Sequence, residues 1–205
     1  MVGRHDTGEA DRVLRIFTRE FGFVGALAKG VKKVKSRKAG SLEIFSIVNV
    51  RLHRKGGELF LITEAAIIQS LPLTDLASIS AGYEIAEWCV RLLPAEKPLP
   101  EVFEILEDFF YALALPNPSV PHLKLAAKAK LAQALGYLPE HFDDPRVRKL
   151  IHFCAAKSLT EVGRVTYEAI AFLAAEGVLA EIFTGATERH GKVDKVLDRM
   201  ANYRA

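Results

Sequence analysis

The chain has 205 residues and a mass of 22.6 kDa, enough for one large domain or two small ones. A hydrophobic content of 50% with 26% charged residues excludes a disordered chain. Two cysteines, Cys89 and Cys154, exclude a disulfide framework and fit a reducing compartment.

The net charge of +3 is unevenly spread. Residues 1–80 carry +5, residues 81–118 carry −5 and residues 119–205 carry +3. Such clustering sets the local field that a polyanion meets. The first residues, "MVGRHDTGEADR", contain no apolar h-region, so no secretory leader is expected. No uninterrupted apolar run reaches the roughly 18 residues that span a bilayer. The nearest, "AIAFLAAEGVLAEIF", is broken by Glu176 and Glu181 and reads as a buried helix pair.

In chain order, "RVLRIFT", "GFVGALAKG", "SIVNVRLHRK" and "ELFLIT" are short, rich in β-branched and aromatic residues, and separated by glycine or charge. Gly56-Gly57 suits a two-residue hairpin, which would place Leu52 opposite Leu61 and Val50 opposite Thr63. His53 would then meet Phe60, and Arg51 would meet Ile62, on the other face. Strands at this spacing predict a small barrel over residues 1–71.

Beyond residue 71 the period becomes helical. "LTDLASISAGYEIAEWCVRLLP" begins at a Thr74 cap, and "PEVFEILEDFFYALAL" follows Pro100 with Val102, Ile105, Leu106, Phe109 and Leu113 on one stripe. "HLKLAAKAKLAQALGY" stops at Gly136. "PRVRKLIHFCAAK", "LTEVGRVTYEAIAFLAAEG" and "KVDKVLDRMANY" are further helices, so residues 72–205 are predicted all-helical and the fold class is α+β.

The stretch "AKGVKKVKSRKAG", residues 28–40, holds five lysines and one arginine and no acid. Lying between two predicted strands, it projects Lys29, Lys32, Lys33, Lys35, Arg37 and Lys38 from a barrel loop. Arg51, Arg54 and Lys55 belong to the adjacent hairpin. His53 and Phe60 offer flat rings beside them, although Phe60 equally suits barrel core. A cationic groove with rings fits single-stranded nucleic acid, with phosphates on the charges and unstacked bases on the rings. In the helical part, Lys124 and Lys128 lie one turn apart, and Val193, Val196, Leu197 and Met200 line one face of the last helix while Lys192, Lys195 and Arg199 line another. Either set is an ordinary solvated face or a second surface for DNA or a partner.

Catalysis has no visible seat. Glu9, Asp11 and Arg12 in "GEADR" read as a turn with local ion pairs, and Glu101, Glu104, Glu107 and Asp108 as solvated helix surface. No G-x-x-x-x-G-K-[ST] or G-x-S-x-G motif occurs. His141, His152 and Cys154 lack paired ligand spacing, so neither a metal nor another cofactor is expected.

The ordered pieces "GEADR", "IFTREFG", "ALAKG", "KSRKAG", "GSLEIFSIVNV" and "GELFLIT" resemble the N-terminal domain of the RecO family of bacterial recombination mediators. "HLKLAAKAKLAQALGYLPEH" is similar to a junction in that family's C-terminal domain. With no leader, two cysteines and no catalytic motif, a cytoplasmic protein that is not an enzyme is expected; the resemblance implies an OB-fold joined to a helical domain in a nucleoid-associated protein. It also implies binding of single- and double-stranded DNA, annealing of complementary strands, and RecA loading together with RecR and the tail of the single-strand binding protein. Two departures stand out. Many members carry four cysteines that hold zinc, whereas the corresponding stretch here has Cys154 alone, and the first strand is expected to be shortened. The rival readings are a scaffold whose basic loop meets an acidic partner, and an RNA-binding module.

Overall fold

The computed structural model describes residues 2–7, 9–32, 42–54 and 59–202, with side chains through Glu188. Five strands come first: β1 (Gly3–Thr7), β2 (Asp11–Thr18), β3 (Gly22–Ala28), β4 (Ile47–Arg54) and β5 (Phe60–Gln69). Six helices follow: α1 (Leu76–Leu92), α2 (Pro100–Leu113), α3 (Val120–Ala134), α4 (Pro145–Ala156), α5 (Leu159–Val162) and α6 (Ala169–Asn202). β1 falls in a stretch whose sequence shows no strand alternation, and four of its five residues are exposed.

The sheet order is β1-β2-β3-β5-β4, antiparallel except for the parallel β3–β5 pair. This is an OB-fold-like β unit whose sheet is not closed, because β1 and β4 end the order without pairing to each other. Alternation builds its core. β3 buries every second residue, and Val24, Ala26 and Ala28 meet Leu14, Ile16 and Ile62 inside the curved sheet.

The β4–β5 register differs from the two-residue hairpin expectation by one position. Leu52 faces Ile62, His53 faces Leu61 and Arg54 faces Phe60, so the connection is longer than a tight turn. Gly56-Gly57 itself lies outside the described residues. A bulge follows between Arg51 and Leu52, after which Arg51 faces Glu64. Thr63 is the extra residue there, and its hydroxyl donates to the Arg51 carbonyl at 3.1 Å.

By packing, the described chain forms two compact units. One holds residues 1–86 and 93–118, and the other holds 87–92 and 119–205. In the first, α2 starts with Pro100 at its first turn and buries Val102, Ile105, Leu106, Phe109 and Leu113, the stripe read from its spacing. The cap of α1 is Asp75 rather than Thr74: Asp75 Oδ1 accepts from the Ser78 amide at 2.8 Å.

In the second unit α3 is buried on most of its circumference, as expected of a central helix. It ends as its sequence predicts, with Gly136 at φ +70° and the Tyr137 amide donating back to the Ala132 carbonyl at 2.7 Å. Asp144 caps α4 by accepting from the Arg146 amide, and Ser158 with Glu161 form a reciprocal capping box on α5. The expected buried helix pair is instead the front of one continuous helix, α6, because Glu176 and Glu181 interrupt apolarity without breaking backbone hydrogen bonding. Its stretch Ala169–Glu188 is long and apolar enough to cross a membrane by length and composition, which corrects the expectation from the uninterrupted runs. Ala171, Ala175, Leu179 and Ala186 form the stripe by which it packs into the helical unit.

Candidate nucleic-acid interface

The basic arm leaves the sheet at the end of β3, and its root is firmly anchored. Gly30, at φ +65°, donates its amide to Asp11 Oδ1 at 2.8 Å, and the Lys32 amide donates to the Ala10 carbonyl at 3.1 Å. Lys32 Nζ lies 3.3 Å from Asp6 Oδ2, and Arg12 Nε donates to Asp6 Oδ1 at 2.8 Å. The Arg12 hydrogen bond, aided by Lys32, holds the Asp6 carboxyl below its usual range. Thus Asp11 and Arg12 of "GEADR" serve as the clamp from which the arm springs. Lys29 is exposed and has no ion pair among the described residues. Lys33, Lys35, Arg37, Lys38 and Lys55 lie outside the described residues.

Arg51 and His53 are exposed on β4. The row Leu27–Leu61–His53 crosses three strands, so His53 lies about two strand spacings, roughly 10 Å, from the end of β3. Arg51 is partly occupied, its guanidinium donating to Glu64 Oε1 at 2.7 Å. Arg54 pairs with Glu96 and places its guanidinium 4.3 Å from the centroid of the Phe60 ring.

Phe60 therefore is not an open stacking platform beside His53. The one-residue register shift sets it opposite Arg54, where it packs, half-buried, against the core of the sheet under that guanidinium. His53 keeps its exposed position.

In the helical unit the cations separate. Lys124 is partly buried. Lys128 is only 5% exposed, with Nζ 3.9 Å from Glu176 Oε1 and 5.5 Å from the centroid of Trp88, so it is an interior cation and not a surface one. The one-turn spacing places both on α3, but that helix is largely surrounded, which takes Lys128 away from solvent. The backbone of α6 runs through Lys192, Lys195 and Arg199, whose side chains lie outside the described set.

Arg19 escaped sequence reading. Just past the end of β2, it lies over the Phe103 ring at 5.2 Å and between Glu104 and Glu107 of α2, at 3.4 and 3.8 Å. The acidic face of α2 is thus partly engaged rather than merely solvated. No sequence signal links residues so far apart.

Burial pushes the Cys89 thiol up to about 12 and that of Cys154 to about 11, leaving little thiolate at neutral pH. Among the described residues no three His, Cys, Asp or Glu side chains stand together as metal ligands. Cys154 faces Tyr167 and Lys130 instead, so the described residues do not fit the zinc that many proteins of the resembled family hold.

Comparison with known proteins agrees with this architecture. Residues 1–71 match the family model described as Recombination protein O N terminal, and residues 73–149 match Recombination protein O C terminal. The chain is 34% identical over 161 residues to the DNA repair protein RecO of Gloeothece citriformis, covering 76% of this chain and 56% of that protein. It is 32% identical over 142 residues to the DNA repair protein RecO of Desulfitobacterium hafniense, covering 68% and 50%. A third relative, the DNA repair protein RecO of Pelotomaculum thermopropionicum, is 32% identical over 136 residues, covering 65% and 52%. The chain spans about half the length of these relatives. With both domain models matched in order over an OB-fold-like sheet followed by helices, the chain belongs to the RecO family.

Proposed function

We propose that the chain is a non-catalytic, DNA-binding recombination mediator of the bacterial cytoplasm, associated with the nucleoid. It brings complementary single strands together for annealing and assists RecA loading with RecR and the single-strand binding protein. The observation that carries this reading is the clamped root of the basic arm. Lys29 and the run that continues through Lys33, Lys35, Arg37 and Lys38 leave a fixed point on the sheet, with Arg51 on the same unit.

The mechanism is charge neutralisation. The cations of the arm displace counterions condensed on the phosphates, two strands are held within pairing distance, and base identity is left unread. Because Phe60 is half-buried under Arg54 and not beside His53, any stacking in this groove falls to His53, and phosphate contacts dominate.

The test is a salt titration of binding to a labelled single-stranded oligonucleotide. Neutralising about five phosphates gives a slope of log K against log salt of roughly −3.5, at about −0.7 per contact. Replacing Lys32, Lys33, Lys35 and Arg37 by Ala should flatten that slope. A protein that leaves the oligonucleotide freely mobile even in dilute buffer ends the reading.

A further inference from the structure

The unclosed sheet leaves a slot of a different character. β1 covers β2 only from Asp11 to Arg15, so among the described residues Ile16–Thr18 have no strand on that side. β4 is the last strand at the opposite end of the sheet order. Between them lies an apolar cavity of about 470 Å³, lined by consecutive residues of each strand, Ile16–Thr18 and Ile47–Val50. Lining by consecutive residues means that main chain, and not only alternate side chains, borders the space. An edge strand so placed presents amides and carbonyls in search of partners.

The cavity is built from aromatic rings. Phe17 stacks with Phe103 at 6.4 Å, and Phe45 with Phe110 at 4.7 Å. Phe45 holds a backbone φ of +65°, a strained conformation for a phenylalanine, and such strain gathers at binding sites. Phe21 at the mouth is 53% exposed and Ile68 67% exposed. Among the described residues the mouth is acidic: Glu20 and Glu107 border it, and Arg19, the one cation among the described lining residues, is already held by Glu104 and Glu107.

We propose that this slot receives an extended segment of a partner protein, added as a strand on the edge of β4. One large apolar side chain of the segment enters the phenylalanine-lined cavity, and flanking lysine or arginine residues meet Glu20 and Glu107. Strand addition supplies main-chain hydrogen bonds and the cavity supplies selectivity. The same acidic mouth repels phosphates, so the slot is separate from the DNA surface and does not depend on it.

The experiment titrates the full chain into two fluorescein-labelled peptides, KRVFVIRK and EEVFVIEE, and reads fluorescence anisotropy. The basic peptide should bind at least about tenfold more tightly than the acidic one, and KRVPVIRK, which lacks a ladder amide and the aromatic anchor, should not bind. The double variant Glu20→Lys, Glu107→Lys, checked for an unchanged circular dichroism spectrum, should weaken the basic peptide about tenfold, as expected for reversing two rim charges. Lys29→Ala with Lys32→Ala should weaken oligonucleotide binding without moving the peptide affinity. Equal affinity for basic and acidic peptides, undiminished binding of the proline peptide, or no binding of KRVFVIRK at 1 mM on the order of the weakest useful peptide contacts overturns the proposal. The peptide comparisons use the unaltered protein, so they decide even if the variant misfolds.

Discussion

The ring of Phe45 lies 4.7 Å from that of Phe110 with the planes 26° apart, while the backbone of Phe45 sits at φ +65°. The stack and a burial that leaves 6% exposure hold a conformation that costs about 1 kcal/mol or more outside glycine. Phe45→Ala keeps that strain and loses the ring, so it should destabilise by about 4 kcal/mol. Phe45→Gly loses the same ring but relieves the strain, and should be at least as stable as the alanine variant in urea unfolding. The usual order, with glycine the worse, would show that the backbone is unstrained in solution.

Gly22 is irreplaceable for a different reason. It has φ +69°, and an added Cβ would fall 1.9 Å from the Lys97 carbonyl oxygen. The neighbouring contact is fixed by the Glu96 amide, which donates to the Phe23 carbonyl at 2.9 Å. Gly22→Ala should therefore cost about 3 kcal/mol or more, read as a lowered melting temperature.

Lys128 should matter to stability and not to DNA. Trp88, over which it lies, stacks on Phe183 at 4.5 Å inside the helical unit. Lys128→Ala removes that packing and strands Glu176, whose side chain keeps 28% exposure, so a loss of about 2 kcal/mol is expected rather than the full cost of a sealed ion pair. Lys128→Met with Glu176→Gln should recover most of it. A fall in oligonucleotide affinity for a well-folded Lys128→Met would contradict the interior assignment.

Alkaline pH should weaken the fold through its buried thiols. Burial raises Cys89 from 9.0 to about 12, so the folded state keeps a proton that the unfolded chain gives up. This contribution is complete below pH 9 and disappears as the pH rises from about 9 towards about 12. Cys154 and Tyr167, raised to about 11 and about 12, act in the same direction. Cys89→Ala should flatten the decline in part, and neither thiol should react with Ellman's reagent at pH 8 until urea is added, as expected for neutral buried thiols.

Carboxylates that occupy the candidate cations should restrain DNA binding. Glu64 holds Arg51 and Glu96 holds Arg54. Glu64→Gln frees an exposed guanidinium and should raise oligonucleotide affinity about threefold at low salt, with a steeper salt slope. Unchanged affinity and slope would place the DNA path away from β4.

Strands β2 to β4, the first part of β5, the α2 stripe and the Gly136 stop were legible because alternation, helical spacing and glycine punctuation are local properties. β1 was not legible, since a short, exposed edge strand needs little alternation and takes its conformation from β2. The basic arm could be read as a charge run, but not its clamp to Asp11, which depends on β1, β2 and β3 being neighbours. The covering of Phe60 followed from a one-residue register change that an alternating pattern tolerates poorly but cannot reveal when the connecting loop length is undetermined.

By itself the amino-acid order determined the change from period two to period 3.6, the placing of six cations in one segment, and the family to which the chain belongs. Only the tertiary structure decided which cations face water, as Lys29 does, and which are interior, as Lys128 is. It also brought Ile16–Thr18 and Ile47–Val50 to one cavity beside the acids of α2. Local pattern follows from steric and hydrophobic preferences within a few residues, whereas exposure and enclosure depend on what packs against each element from distant parts of the chain.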